Sequence, residues 1–81
     1  MSMFRVQLGF HLFSGPFVTE VVEASGYPDA VIQVLRGLSA STVHLVHVCK
    51  QDDEQLCIEY LDFAVDADGQ FTAEAAYSFP L

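Results

Sequence analysis

Residues 61–75, which read LDFAVDADGQFTAEA, decide the fold of this chain. On both sides of Ala67-Asp68-Gly69 apolar and polar residues alternate, and a period of two is typical of half-buried strands. A three-residue loop with glycine at its left-handed position joins such strands into a hairpin. The acids of Leu56 to Asp66 also recur at helical spacing, so a helix is the alternative there, but the hairpin favours a strand.

This loop sets the register of the hairpin, with Asp66 opposite Gln70. The register pairs apolar residues on one face: Val65 with Phe71, Phe63 with Ala73 and Leu61 with Ala75. It also places Asp62 directly opposite Glu74 on the other face. Like charges opposite one another destabilise a sheet. The pairing therefore indicates a demand on these residues other than stability.

The upstream segments supply a second hairpin, a helix and a central strand. They are an alternating strand from Phe4 to Leu12, a turn at Ser14-Gly15-Pro16, a strand from Phe17 to Val22, a helix beginning at Ser25-Gly26-Tyr27-Pro28-Asp29 and ending at Gly37, and a β-branched strand from Thr42 to Lys50. Residues 1–81 therefore form one α+β domain, an antiparallel sheet of about five strands in the order ββαβββ with one helix packed on one face.

A charged loop from Gln51 to Gln55 would close a further hairpin between the central strand and the one after it. Its register pairs Lys50 with Leu56, Cys49 with Cys57, His47 with Glu59 and His44 with Asp62. We therefore expect a row of His44, Asp62 and Glu74 across the polar face of the sheet.

Charge is distributed unevenly along the chain. The formal net charge is −8, yet residues 1–50 hold three acids and three bases and are neutral as a whole. All eight remaining acids, with no Lys or Arg, lie in residues 51–81: Asp52, Asp53, Glu54, Glu59, Asp62, Asp66, Asp68 and Glu74. Such a field repels nucleic acid and anionic membranes and attracts basic protein surfaces.

The residues that catalysis or cofactor binding requires do not form recognisable motifs. No serine has a nucleophile setting, no glycine-rich phosphate loop is present, and an exposed Asp62–Glu74 pair has nothing to exclude water. We therefore predict no enzyme, no catalytic residue and no cofactor.

Metal binding is the other chemistry that the sequence raises. His44, His47, Cys49 and Cys57 are all zinc-ligand types, and His47 and Cys49 point the same way along a strand. Zinc is nevertheless disfavoured, because His44 and His47 face opposite sides and the paired short spacings of zinc motifs are missing. Calcium is disfavoured because the hairpin explains Gly69 better than a calcium loop does. We therefore predict no metal site. Cys49 and Cys57, in a chain whose Met1 to Val6 start does not look like an export signal, are expected to be reduced thiols in the cytoplasm rather than a disulfide.

A small acidic domain without catalytic residues suits a partner that is itself basic, and nucleic-acid channels lined with Lys and Arg are common examples. In size, in its acid-rich Asp52 to Glu74 stretch and in its compact α+β plan, the chain resembles the phage-encoded anti-CRISPR proteins. That resemblance implies a DNA mimic that inhibits a CRISPR-Cas complex in the host cytoplasm, with the eight acids standing in for phosphates. Neither nucleic acid nor membrane is an expected direct partner.

The alternative is a structural role, as a small dimeric accessory or assembly protein. In that case an apolar sheet face forms the interface, and the acids only keep the protein in solution. The sequence leaves monomer and homodimer open.

Overall fold

The computed structural model of the protein describes residues 2–9, 18–51 and 53–79, without the side chains of residues 53–55 and 79. In chain order the elements are β1 (Ser2–Gly9), β2 (Val18–Ala24), α1 (Tyr27–Gly37), β3 (Thr42–Lys50), β4 (Asp53–Val65), β5 (Phe71–Thr72) and β6 (Ala75–Phe79). The α+β plan is confirmed: the described part of the chain is mostly antiparallel sheet, with one helix. The predicted turn at residues 14–16 and the ends of the strands that flank it, residues 10–13 and 17, lie outside the described residues.

The sheet has six described strands, one more than the sequence suggests. Their order is β2-β1-β3-β4-β5, and β6 also pairs with β4. The extra strand arises because the predicted strand from Phe71 to Phe79 is interrupted. Its two pieces, β5 and β6, both lie along β4, at Ala64–Val65 and Cys57–Leu61 respectively.

The hydrophobic core lies between the helix and one face of the sheet. Alternate residues of β1 and β3, among them Val6 and its partner Val48, are fully buried there. The helix contributes Ala30, Val31, Ile32, Val34 and Leu35 to this core. It packs only loosely on β1, β2 and β3.

Local chemistry explains both ends of the helix. It begins with Pro28 in the first turn, where a missing N–H costs nothing, and the Tyr27 hydroxyl donates to the Leu56 carbonyl of β4 at 2.9 Å. At the other end the Ser39 and Ala40 N–H groups donate to the Arg36 and Leu35 carbonyls. With Ser39 left-handed at φ 56°, this is a Schellman motif built on a serine instead of a glycine.

The β3–β4 hairpin is tighter than predicted. The expected loop from Gln51 to Gln55 is wrong, because β4 already begins at Asp53 and Lys50 pairs with Asp53 instead of Leu56. A shift of register between Cys49 and Lys50 absorbs the difference. Beyond that shift the predicted register is confirmed, with Cys49 opposite Cys57 and His47 opposite Glu59.

The β4–β5 turn also follows the prediction. Asp66 and Gln70 face each other, with the Asp66 N–H donating to the Gln70 carbonyl at 2.9 Å, and Gly69 is left-handed at φ 83°. Val65 pairs with Phe71, and Leu61 with Ala75, as expected.

The predicted apolar face of β4 is correct only in part. Tyr60 and Phe63 are both buried in the core although three residues apart, whereas Leu61 is half-buried and outside the core. The reason is Asp62, whose left-handed φ of 51° breaks the alternation of side chains along the strand. The predicted Phe63–Ala73 pair is likewise absent from the described ladder, and Phe63 stacks on Phe71 instead, with ring centroids 5.1 Å apart.

Candidate functional site

Three polar side chains meet where β4 changes partner from β6 to β5. His44 comes from β3, Asp62 from β4 and Glu74 from the interruption between β5 and β6. The Nδ1 atom of His44 lies 2.7 Å from Oδ1 of Asp62, and Glu74 is close enough to Asp62 for each carboxyl to shift the pKa of the other. The structure therefore brings together the row of three residues that the sequence predicts.

The backbone at this site is irregular on both strands. Asp62 adopts a left-handed conformation, which non-glycine residues seldom adopt but which Asp tolerates better than most. Opposite it, the Glu74 N–H donates to the Leu61 carbonyl at 2.8 Å, while residues 73 and 74 leave the strand. Unfavourable backbone conformations in folded proteins often mark functional positions. Here the unfavourable conformation is that of Asp62, one of the two neighbouring carboxylates.

The two carboxylates shift one another's protonation in opposite directions. The hydrogen bond from Glu74, followed by the one with His44, lowers the pKa of Asp62 below its usual value. The hydrogen bond to Asp62 and its negative charge raise the pKa of Glu74. A hydrogen bond between two carboxyl groups requires one proton, and the directions of these shifts mean that Glu74 keeps its proton to higher pH than Asp62 does. Once Glu74 has also ionised, the two negative charges repel one another.

The surroundings of the cluster are open to solvent. Thr42, Val43, His44, Asp62, Phe63 and Ala64 line a shallow depression of about 430 Å³. The Asp62 side chain is 46% exposed and that of His44 31%. Water therefore reaches both groups, and the site is suited to binding Lys or Arg from a partner surface. It does not enclose a small substrate.

Two of the other predicted site residues have structural partners. Glu59 lies opposite His47, with Oε2 3.9 Å from Nδ1 of the ring. The Oδ1 atom of Asp66 accepts hydrogen bonds from the N–H groups of Asp68 and Gln70, each at 2.9 Å, and so stabilises the hairpin turn. Both acids therefore have a role in the fold, besides any role in binding.

The rest of the predicted set is divided between the turn and the start of β4. Asp68 is exposed in the turn after β4. Asp53 and Glu54 begin β4, but their side chains, like the whole of Asp52, lie outside the described residues. The eight acids thus do not form one described cluster, and only Asp62 and Glu74 are seen in contact.

Cys49 and Cys57 form a disulfide across β3 and β4, so the expectation of reduced thiols is wrong for this structure. The two residues are direct partners in the ladder and their Cα atoms are 4.2 Å apart, a separation typical of the close type of antiparallel pair. The predicted register already placed them together. Reduced thiols were expected from the cellular compartment alone, whereas the pairing of the two strands brings the sulfur atoms together.

Among the residues that the structure describes, one group of side chains could hold a metal, and it lies around this disulfide. The potential ligand atoms of His47, Cys49 and Cys57 all lie within 4.8 Å of one another. These three residues were among the zinc ligands considered from the sequence, and zinc was disfavoured there because the paired short spacings of zinc motifs are missing.

Comparison of the chain with protein-family models, with curated proteins and with solved structures finds no match. Among the described residues, no helix has the length and apolar character needed to cross a membrane.

Proposed function

We propose that this protein binds a basic, nucleic-acid-binding surface of another protein and competes there with nucleic acid. The contact between Asp62 and Glu74 supports the proposal most directly. Two exposed carboxylates meet at a left-handed backbone position, although their repulsion opposes folding. Binding to a cationic partner would relieve that repulsion. The protein would then act by binding alone, without catalysis.

The acids would contribute unequally to such an interface. Asp62, Glu74 and Asp68 are exposed and would face the partner. Glu59 and Asp66 would contribute less, because each already contacts a neighbour within the fold. Groups that imitate phosphates contribute mainly through charge, so binding should weaken steeply as salt rises.

The partner we propose is the DNA-binding groove of a CRISPR-Cas complex, with this chain as a phage-encoded inhibitor. Small size, the concentration of all net charge in residues 51–81 and the α+β plan support this choice. They support a DNA mimic of other targets equally well, so the experiment must compare several targets.

The test is competition between this protein and a labelled DNA duplex for purified CRISPR-Cas complexes and for unrelated DNA-binding proteins. The double variant Asp62→Asn, Glu74→Gln removes charge but keeps a residue that tolerates the left-handed conformation at position 62. Its control is Glu20→Gln, Glu23→Gln, which removes the same charge from exposed positions of β2.

We expect the wild type to displace DNA, the first variant to lose this ability and the control to retain it. Raising the salt concentration should weaken the wild-type competition. Competition that does not weaken with salt would contradict the proposal that the acids imitate phosphates. Equal loss of competition in both double variants would contradict the placement of the binding site at Asp62 and Glu74. If the protein displaces DNA only from the unrelated DNA-binding proteins, it is still a DNA mimic, but a CRISPR-Cas complex is not its target.

A dimeric accessory protein is the second candidate, and the face of the sheet away from the helix supports it. Met3, Val21 and Tyr77 lie on that face by strand alternation and are 37%, 45% and 55% exposed. Sedimentation equilibrium at several concentrations tests this candidate. A dimer that Tyr77→Ser weakens and Asp62→Asn leaves intact would favour it over the mimic.

A further inference from the structure

Four side chains with metal-binding atoms lie together on the face of the sheet away from the helix. Cys49 pairs with Cys57, and two positions along the same strands His47 pairs with Glu59. Residues two apart on a strand, and their direct partners, project from the same face. The backbone register therefore places two sulfur atoms, one imidazole and one carboxylate on the same face, with the carboxylate of Glu59 3.9 Å from the imidazole of His47.

We propose that the reduced protein binds Zn²⁺ through the thiolates of Cys49 and Cys57 and the imidazole of His47, with Glu59 at the fourth position. Zinc prefers four tetrahedral ligands drawn from these atom types, at about 2.3 Å for sulfur and 2.0–2.1 Å for nitrogen. Sulfur atoms on such a zinc are about 3.8 Å apart. The ligand atoms of His47, Cys49 and Cys57 already lie within 4.8 Å of one another, so small side-chain rotations suffice.

The site depends on the redox state because the disulfide occupies both sulfur atoms. A dithiol reductant transfers two electrons and two protons to the bridge. The S–S bond breaks, two S–H groups form, and the reductant closes its own disulfide. Zinc then displaces the two thiol protons as it binds. Oxidation and zinc binding are therefore mutually exclusive states of one site.

The surroundings favour a bound cation with two thiolates. Both cysteines are only 1% exposed, which keeps water from competing for the metal. Arg5 lies opposite Cys49 on β1, and its positive charge offsets the excess negative charge of two thiolates and a carboxylate around Zn²⁺. A depression of about 300 Å³ lined by Gln7, Leu45, His47 and Glu59 gives access from solvent on the His47 side.

The experiment uses the full chain, reduced with dithiothreitol and freed of it by gel filtration under argon. Zn²⁺ affinity is measured by competition with a chromophoric chelator, for the reduced and the disulfide form. Loss of a partner outside the metal's direct ligands typically costs 10–100-fold in affinity. Loss of a direct ligand in His47→Gln should therefore cost about 100-fold or more.

His44→Gln is the matched control, because it changes the other strand histidine and leaves the four proposed ligands unchanged. We expect one Zn²⁺ per reduced wild-type chain, affinity at least about 100-fold lower after reoxidation, and no change in His44→Gln. Failure of the reduced wild type to bind one Zn²⁺ would overturn the proposal. So would equal affinity in the reduced and oxidised forms, or in His47→Gln and the wild type.

Cobalt provides a second measurement that requires no variant. Co²⁺ in place of Zn²⁺ should give the intense visible bands of a tetrahedral ion and a thiolate charge-transfer band. If the reduced wild type with Co²⁺ shows only the weak bands of an octahedral ion, the proposed site is refuted. This measurement does not depend on whether His47→Gln folds. These outcomes are independent of the DNA-mimic proposal, because neither Asp62 nor Glu74 belongs to the zinc site.

Discussion

The disulfide gives the most direct quantitative prediction about stability. Cys49 and Cys57 are eight positions apart in the sequence and are the only cysteines in the chain. The disulfide closes a loop and so lowers the conformational entropy of the unfolded chain. Reducing the disulfide restores that entropy and therefore favours unfolding. For a loop of this length, the chain-entropy relation gives about 2.5 kcal/mol.

That amount is a large part of the total, because a chain of this size is stable by only about 4–12 kcal/mol. With a urea dependence of about 1 kcal/mol per molar, the unfolding midpoint should fall by about 2.5 M on reduction. Urea titrations followed by circular dichroism, with and without reductant and with a metal chelator present, measure the difference.

The double variant Cys49→Ala, Cys57→Ala is the control, because reductant has no cysteine to act on in it. Its midpoint should not respond to reductant. An unchanged midpoint in the wild type would refute the reasoning, as would two thiols that react with a thiol reagent in the unreduced, urea-unfolded chain.

Three further predictions concern the core, the left-handed positions and the carboxylate pair. Phe63→Ala should lower the free energy of unfolding by about 3–5 kcal/mol because its ring is fully buried, whereas Phe71→Ala, at a site 40% exposed, should cost about 1–2 kcal/mol by urea titration. Gly69→Ala at φ 83° should destabilise by about 1–2 kcal/mol and Ser39→Gly at φ 56° should stabilise by about 1 kcal/mol, both by thermal melting. Glu74→Gln should raise Tm at neutral pH, with a gain that disappears in acid.

The sign of the last prediction follows from the direction of the pKa shift. The folded-state pKa of Glu74 is raised above its unfolded value of 4.5, mainly by the hydrogen bond with Asp62. The stability contributed by protonated Glu74 is complete below that unfolded pKa and is lost as pH rises through the folded one. Gln at this position keeps a donor at every pH, so melting curves of both proteins across pH 3–8 should converge at the acid end.

Each of these three expectations has a result that would contradict it. Equal losses from Phe63→Ala and Phe71→Ala would place Phe63 outside the core. A stable Gly69→Ala variant, or a destabilised Ser39→Gly variant, would mean that these backbone positions are not left-handed. A Tm difference between Glu74→Gln and the wild type that stays constant with pH would contradict the raised pKa of Glu74 and its interaction with Asp62.

Register was predictable from the sequence wherever local chemistry sets it. The turn at Ala67-Asp68-Gly69 determines which residues of the hairpin face each other, and the same pairing continues along β4. The proximity of His44 to Asp62 and of Asp62 to Glu74 follows from that register. The loop from Gln51 to Gln55 was mispredicted because turn residues alone do not reveal how far a ladder extends toward the turn.

The sequence by itself determined the α+β plan, the helix, the confinement of net charge to residues 51–81 and the proximity of Cys49 and Cys57. These features depend on composition, periodicity and short turns, which are local properties of a chain. Only the tertiary structure decided the left-handed backbone at Asp62, the division of the last strand and the burial of Tyr60 together with Phe63. These depend on how β4 accommodates three neighbouring strands and a core at once, and no local pattern encodes that competition.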